Sequence, residues 1–421
     1  METHLADFIR DTTAGREAEE ILRKCVHCGF CTATCPTYQL FGDELDGPRG
    51  RIYLIKQMLE TGVATEKTRL HLDRCLTCRS CESTCPSGVH YSRLLDIGRE
   101  VVASRVPRYG MDGLTRSLLK HLLPRPALFN PAMRLGQMVR PLLPAALKAK
   151  VPERRDPGLT PALHHSRRMI VLAGCVQPAM MPGINAAAAR VLHRLGISLV
   201  EAQGKNAAGC CGALRMHLDD AEGARDDARR NIDAWLPLLD DGCENIVMTA
   251  SGCGVQVRDY AHLLQDDARY AVGAARIALA TRDISEVVIA EKAALLELLE
   301  KSAPAPRRRA VFHASCTLQH GQQIRGVVED LLAAAGFDLT PVSDPHLCCG
   351  SAGTYSVLQP EISTRLRDNK LGGLGVGSDR PPEVIASANI GCITHLQSGT
   401  LLPVRHWIEL LDARLKEAAD V

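Results

Sequence analysis

Aromatic side chains are in short supply: six Phe, seven Tyr and two Trp among 421 residues. Flat faces on which unpaired bases could stack are therefore few. A formal net charge of +2 supplies no basic field for a polyanion, so no nucleic-acid partner is expected. No run of 18 or more apolar residues occurs, which excludes a membrane-spanning helix. The opening Met1-Glu2-Thr3-His4 leads into no apolar stretch, so no signal peptide is expected and the thiols are read as reduced. There is no phosphate-binding P-loop, no Ser-His-Asp logic and no convincing G-x-G-x-x-G. Hydrolysis and nucleotide binding are poor starting points.

What the chain has in excess is cysteine, 17 residues. At this density in a reducing compartment, metal ligands are expected before disulfides. Eight fall in two matched runs, Cys25, Cys28, Cys31, Cys35 and Cys75, Cys78, Cys81, Cys85. Each reads C-x2-C-x2-C-x3-C-P, ending at Pro36 and Pro86. A single C-x2-C pair would also suit structural zinc, but this doubled pattern is that of bacterial two-cluster ferredoxins. There the first three cysteines of a run hold one cluster and the fourth ligates the other. Two [4Fe–4S] clusters are predicted. One takes Cys25, Cys28, Cys31 and Cys85, and the other takes Cys75, Cys78, Cys81 and Cys35. His27 and His90 stand near the runs and are expected to tune potential. The runs begin fifty residues apart, and Arg49–Leu59 between them has helical spacing, with Ile52, Ile55 and Leu59 on one face. The first domain, 1–104, is therefore expected to be a helical ferredoxin-type unit.

Residues 105–165 form a connector rich in Pro and Leu. Over 105–155 it carries eleven Lys or Arg against two acids, Asp112 and Glu153. A solvated linker, a partner-docking segment and an anionic membrane surface all suit that composition.

From 166 onward the chain repeats itself. Arg168–Cys175 matches Arg309–Cys316, Gly209-Cys210-Cys211-Gly212 matches Leu347-Cys348-Cys349-Gly350, and Cys253 matches Cys392. The equivalent cysteines lie 138 to 141 residues apart. Two Cys-Cys-Gly domains, 166–300 and 301–421, follow. Ile170–Ala173, Ile197–Val200 and Ile246–Ala250 read as short buried strands, and Asn185–Leu195 as a helix closed by Gly196. That alternation predicts α/β units on short parallel sheets, with ligands beyond the strands' carboxyl ends. In the first copy Cys175, Cys210, Cys211 and Cys253 are candidates to converge, and in the second Cys316, Cys348, Cys349 and Cys392. They would form an additional iron–sulfur or redox site, against the alternative of plain buried thiols. His313, His346 and His395 flank the second set. Cys243 has no counterpart and reads as an ordinary thiol.

Two ferredoxin runs followed by two Cys-Cys-Gly domains resemble the iron–sulfur subunits of membrane-linked dehydrogenases, among them the glycolate oxidase iron–sulfur subunits. The stretches that carry the likeness are Cys25–Leu40, Gly42–Arg51, His346–Tyr355 and Val404–Glu409. The resemblance implies an oxidoreductase subunit that carries electrons and does not bind glycolate. Flavin-containing glycolate oxidase subunits would be its partners and a membrane quinone its acceptor. It would sit on the cytoplasmic face of the inner membrane as a peripheral protein. The resemblance also admits a lactate or glycerol-3-phosphate dehydrogenase subunit. A third reading is a heterodisulfide- or quinone-reductase-like chain with its active site among the Cys-Cys-Gly residues. Relatives with non-cubane clusters use a terminal C-x2-C pair. Here Gln256 and His395 stand at the second positions, so no five-cysteine site is expected.

Overall fold

Thr12 starts the first long helix, its hydroxyl accepting the Gly15 amide at 3.0 Å. Helix Thr13–Lys24 buries Ala18, Ile21 and Leu22. Helix Pro48–Thr61 starts on a proline already set for the first turn and buries Ile52, Ile55, Met58 and Leu59. Both pack with helix Tyr91–Arg105, which contributes Leu94 and Leu95, into a core that also touches Cys25, Cys75 and Cys81. This is the expected helical ferredoxin-type domain. The computed structural model describes residues 1–148, 150–162, 165–202, 207–301 and 306–416. The far end of the expected 301–421 domain lies outside them.

Helices Gly110–Leu122 and Pro126–Met138 occupy the connector. Neither has a buried apolar residue of its own. Leu118, Leu122, Leu128 and Phe129 line an apolar groove of about 660 Å3 between them. The start of the segment is pinned. Arg108 bonds both Asp73 oxygens at 2.7 Å and Asp219 at 2.9 Å, tying the ferredoxin domain, the connector and the first copy together.

Each Cys-Cys-Gly copy has four parallel strands, one more than the sequence pattern suggests. The first sheet is ordered β2-β1-β3-β4 and the second β6-β5-β7-β8. The strands are β1 Arg167–Val171, β2 Ile197–Val200, β3 Ile246–Met248 and β4 Thr281–Asp283, then β5 Arg309–His313, β6 Asp338–Leu339, β7 Val384–Ser387 and β8 Val404–His406. Helix Gly183–Arg194 runs into Gly196, whose φ of 78° turns the chain into β2. The extra strands each lead into a capped helix. Asp283 accepts the Ser285 amide while Glu286 reaches back to Asp283. His406 Nδ1 accepts the Ile408 amide while Glu409 accepts that of His406.

The two copies are not separate bodies. One core runs through both, from Ile184 and Val191 to Leu331, Trp407 and Leu411. Helix Trp407–Lys416 of the second copy lies against helix Gly183–Arg194 of the first, and Arg190 grips Asp412 at 2.7 Å. Reciprocally, helix Ile284–Ala290 of the first packs on helix Val327–Ala334 of the second.

Candidate iron–sulfur and thiol sites

The two ferredoxin runs fold as matching loops. His27 and Gly29 have φ of 55° and 85°, and Thr77 and Arg79 have φ of 54° and 60°. Left-handed residues spaced two apart curl a loop so that its amides face inward, toward the sulfurs, as a cluster made anionic by its four thiolates requires. Arg79 takes a backbone conformation that costs a non-glycine residue energy where the first run has Gly29. The Arg79 guanidinium holds Asp259 of the first Cys-Cys-Gly copy at 2.7 Å.

The loops enclose two neighbouring clefts. The first, about 440 Å3, is lined by Cys25, Cys28, Cys31, Cys85 and Cys81. The second, about 380 Å3, is lined by Cys35, Cys75, Cys78 and Cys81. The fourth cysteine of each run thus reaches the cleft of the other. The donor chemistry fits an iron–sulfur group. Burial raises the Cys25 thiol and pushes Cys31 up to about 11, with neighbouring sulfurs adding to both shifts. A soft cationic iron core relieves that penalty.

The two clefts differ in their surroundings. Val26 and Phe30 stand exposed at the mouth of the first, beside exposed Cys28. The second is deep. Tyr91 Oη donates to Cys75 Sγ at 3.7 Å, and Thr37 Oγ1 lies 3.3 Å from Cys35 Sγ. Arg51, 1% exposed, lines it. Burial works against the Arg51 charge, but Cys75, Tyr91, Cys35 and Asp46 outweigh it. Asp46 is itself buried and accepts from Arg74 at 2.7 Å and from His71 at 3.0 Å. Sequence reasoning missed this network. Asp46 and Arg51 stood in a matching stretch, but their partners come from a distant helix end. Of the two expected tuning histidines, His27 lines the first cleft and His90 does not. His90 is solvent-exposed, at the residue that precedes helix Tyr91–Arg105.

In each Cys-Cys-Gly copy all four candidate cysteines meet beyond the carboxyl ends of the strands. The glycine explains the motif. Gly212 and Gly350 have φ of 91° and 86°. An added Cβ would come within 3.0 Å of Ala224 O and 2.6 Å of Ser363 O. The amides of both glycines then point back at the first cysteine of the pair, 3.4 Å from Cys210 Sγ and from Cys348 Sγ.

In the first copy Cys210 accepts from Cys175 and Cys211, and these contacts, the Gly212 amide and Arg230 hold it well below the ordinary thiol value. Cys211 in turn contacts Cys253. Asn231 bonds the Cys210 carbonyl and Tyr260 the Cys211 carbonyl, both at 2.9 Å. In the second copy Cys316 Sγ lies 3.8 Å from Cys348 Sγ, and the row continues through Cys349 to Cys392. The hydrogen bond to Cys348 and burial hold Cys316 well above the ordinary value. Cys243 is buried in the first copy's core, away from this row.

Of the three histidines expected beside the second row, one reaches it. The His313 ring and the sulfurs of Cys349 and Cys392 have ligand atoms within 4.8 Å of one another. His395 turns to Ser363, its Nε2 donating to the carbonyl at 3.1 Å. His346 offers its carbonyl to His320 at 2.9 Å. Lys370, buried at 4% exposure, places its ammonium near Cys349, Cys348 and Cys316, and no motif announced it.

The second cleft and the second row adjoin. Leu76 packs in one apolar cluster with Cys348 and Tyr355, and Cys78 and Cys316 pack against it. Tyr355 Oη donates to the Arg74 carbonyl at 2.9 Å, and His320 Nδ1 sits 3.0 Å from Ser83 Oγ.

Two clefts of soft sulfur donors, stacked against a third row of thiols, define an iron–sulfur protein built to carry electrons. Residues 21–89 match the 4Fe-4S dicluster domain family, and 169–258 and 310–397 match the cysteine-rich domain family. The chain is 50% identical to the glycolate oxidase iron-sulfur subunit of Escherichia coli (strain K12), across 99% of this chain and all of that one. It belongs to the family of glycolate oxidase iron–sulfur subunits. It is also 28% identical to a probable glycolate oxidase iron-sulfur subunit of Bacillus subtilis (strain 168), over 91% of this chain and 90% of the relative. Lactate utilization protein A of an Exiguobacterium species is 26% identical over 58% of this chain and 96% of its own length.

Proposed function

We propose that this chain is the electron-carrying subunit of a complex that oxidises glycolate to glyoxylate, and that it passes electrons from a flavin-containing subunit to a membrane quinone. The reading rests chiefly on one observation, the crossed pairing of cysteines around two adjacent clefts. Cys25, Cys28, Cys31 and Cys85 would hold one [4Fe–4S] cluster, and Cys75, Cys78, Cys81 and Cys35 the other. Bound there, such clusters supply one-electron carriers of tunable potential.

The chain's own residues set direction and access. Val26 and Phe30 give the first cleft an apolar rim suited to a protein partner. Arg51 and Tyr91 place a positive charge and a hydrogen-bond donor against the second, which favours the reduced form there. Electrons are thereby drawn inward, toward Cys78 and the second Cys-Cys-Gly copy. No helix among the described residues is long and apolar enough to cross a membrane. The connector hairpin offers another route to the bilayer. Leu118, Leu122 and Leu128 stand exposed along its apolar groove, and Lys120, Arg125 and Arg134 belong to the same segment, a combination suited to anionic headgroups. High salt or carbonate is expected to release the complex from membranes.

The test is anaerobic purification of the native complex, with iron, sulfide and flavin assay. About eight irons per chain are expected in the ferredoxin domain, with two cubane EPR signals that appear on adding glycolate. Cys28→Ser should damage one signal and leave the other partly assembled. Two full clusters in that variant, or no reduction by glycolate, would refute the assignment.

A further inference from the structure

We infer that the second Cys-Cys-Gly copy contains a mononuclear site for a thiolate-preferring divalent cation, ligated by His313, Cys349 and Cys392, and that the first copy has no counterpart. This goes beyond the electron-transfer reading and stands or falls apart from it.

His313 is the last residue of β5 and is 1% exposed. Neither of its ring nitrogens has a hydrogen-bond partner. An imidazole buried that way loses its water contacts without compensation. A metal ion taken up by one nitrogen lone pair supplies one of the two missing interactions. The other two donors are Cys349 and Cys392, 1% and 3% exposed, and the three ligand atoms lie within 4.8 Å of one another. Cys392 sits in the first turn of helix Ile390–Gln397, where the helix dipole favours a thiolate. Asn389 Nδ2 donates to its sulfur at 3.6 Å and so orients it.

One imidazole and two thiolates select zinc or ferrous iron over magnesium or calcium, and three protein ligands leave one tetrahedral position open. Binding moves protons and no electrons. Two S–H bonds break, two protons leave to solvent, and the two thiolates balance the charge of the cation. The other described histidine-containing group, Asp43, Asp46 and His71, differs, because Asp46 is already held by Arg51 and Arg74. In the first copy the strand position equivalent to His313 is Leu172, and among the described residues no histidine-containing ligand group forms at Cys211 and Cys253.

The experiment uses the full-length protein carrying its clusters, given one equivalent of zinc and dialysed against a micromolar-affinity chelator. Zinc-edge X-ray absorption is blind to cluster iron and reports the shell directly. One retained zinc per chain is expected, with two sulfurs at about 2.3 Å and a nitrogen at about 2.0 Å. His313→Leu, which copies the first domain, should weaken retention more than about a hundredfold, since even outer partners of a ligand are worth ten- to a hundredfold. Iron content and the cubane EPR signals should not change. A shell of sulfur alone, no zinc retained by the wild type, or equal retention by His313→Leu overturns the inference. If that variant misfolds and loses iron, the wild-type shell decides the matter alone.

Discussion

The two Cys-Cys-Gly copies share a strand order, a left-handed glycine after each vicinal pair, and four cysteines at equivalent places. They differ in what faces the sulfurs. The first copy has Leu172 at the strand end and Asn231 on the helix behind the pair. The second has His313 and Lys370. The first row lies against Asn231 and Tyr260, which satisfy backbone carbonyls. The second lies against Cys78 of the deep cleft. Duplication kept the frame and the thiols, and chemical difference entered through residues outside the motif. A cysteine pattern alone therefore does not tell a redox site from a scaffold.

The sharpest way to break this contrast is to remove one sulfur from each copy. Cys348→Ala should abolish glycolate-dependent quinone reduction while both cubane EPR signals persist. Cys210→Ala should keep activity within about threefold and act mainly on stability, by about 1 kcal/mol. Equal losses in the two variants would erase the distinction between the copies.

The next effect is on the join. Asp412 is 3% exposed and holds Arg190 at 2.7 Å. Asp412→Ala leaves a largely buried guanidinium with only the Pro157 and Leu159 carbonyls as partners and should cost about 2 kcal/mol, read as the shift in denaturant midpoint. The reciprocal contact, between helices Ile284–Ala290 and Val327–Ala334, buries Ile284, Val288, Val328 and Leu331 and should be insensitive to salt.

The two equivalent cap residues should respond to acid in opposite senses. Burial raises Asp283 to about 6. With its folded value above the unfolded one, its contribution is full below about pH 4 and is lost as pH rises through 6. Burial lowers His406 to about 3. Its contribution is present above the unfolded value of 6.5 and is lost as pH falls below it. Between pH 7 and pH 5 the first group should add about 1 kcal/mol and the second remove about 2 kcal/mol. Stability profiles of Asp283→Asn and His406→Gln check the signs, and parallel slopes would refute them.

The smallest effect concerns the two ferredoxin loops. Arg79→Gly gives the second loop the residue type of the first. It relieves a left-handed backbone worth about 1 kcal/mol and loses a partly exposed ion pair worth about as much. Thermal stability should move by less than about 1 kcal/mol, while the grip on Asp259 is lost.

Much of this was legible in the sequence. The ferredoxin runs declare themselves, because a cube needs cysteines at fixed short spacings. The repeat offset placed the vicinal pairs at equivalent strand ends, and the spacing of Ile52, Ile55 and Leu59 marked a buried helix face. The fourth strands were not legible. Thr281–Asp283 and Val404–His406 are three residues each and partly polar, so they carry no periodicity. Nor was the Asp46–Arg51–His71–Arg74 network, which exists only once two helices meet. His313 was visible as a neighbour of Cys316, yet the structure turns it to Cys349 and Cys392 instead. Sequence adjacency does not report which way a strand's last side chain faces.

The exchange of helices between the copies bears on how the protein is made. Residues 183–194 leave the ribosome long before residues 407–416 that cover them. Until then Ile184, Val191 and Leu192 lack one wall of their pocket. The first copy cannot finish folding as it emerges, although a domain near the N-terminal end ordinarily would. A message truncated anywhere before Trp407 yields a chain with an apolar face open to proteases, so that incomplete copies of this electron carrier are marked for removal by their own unfinished core.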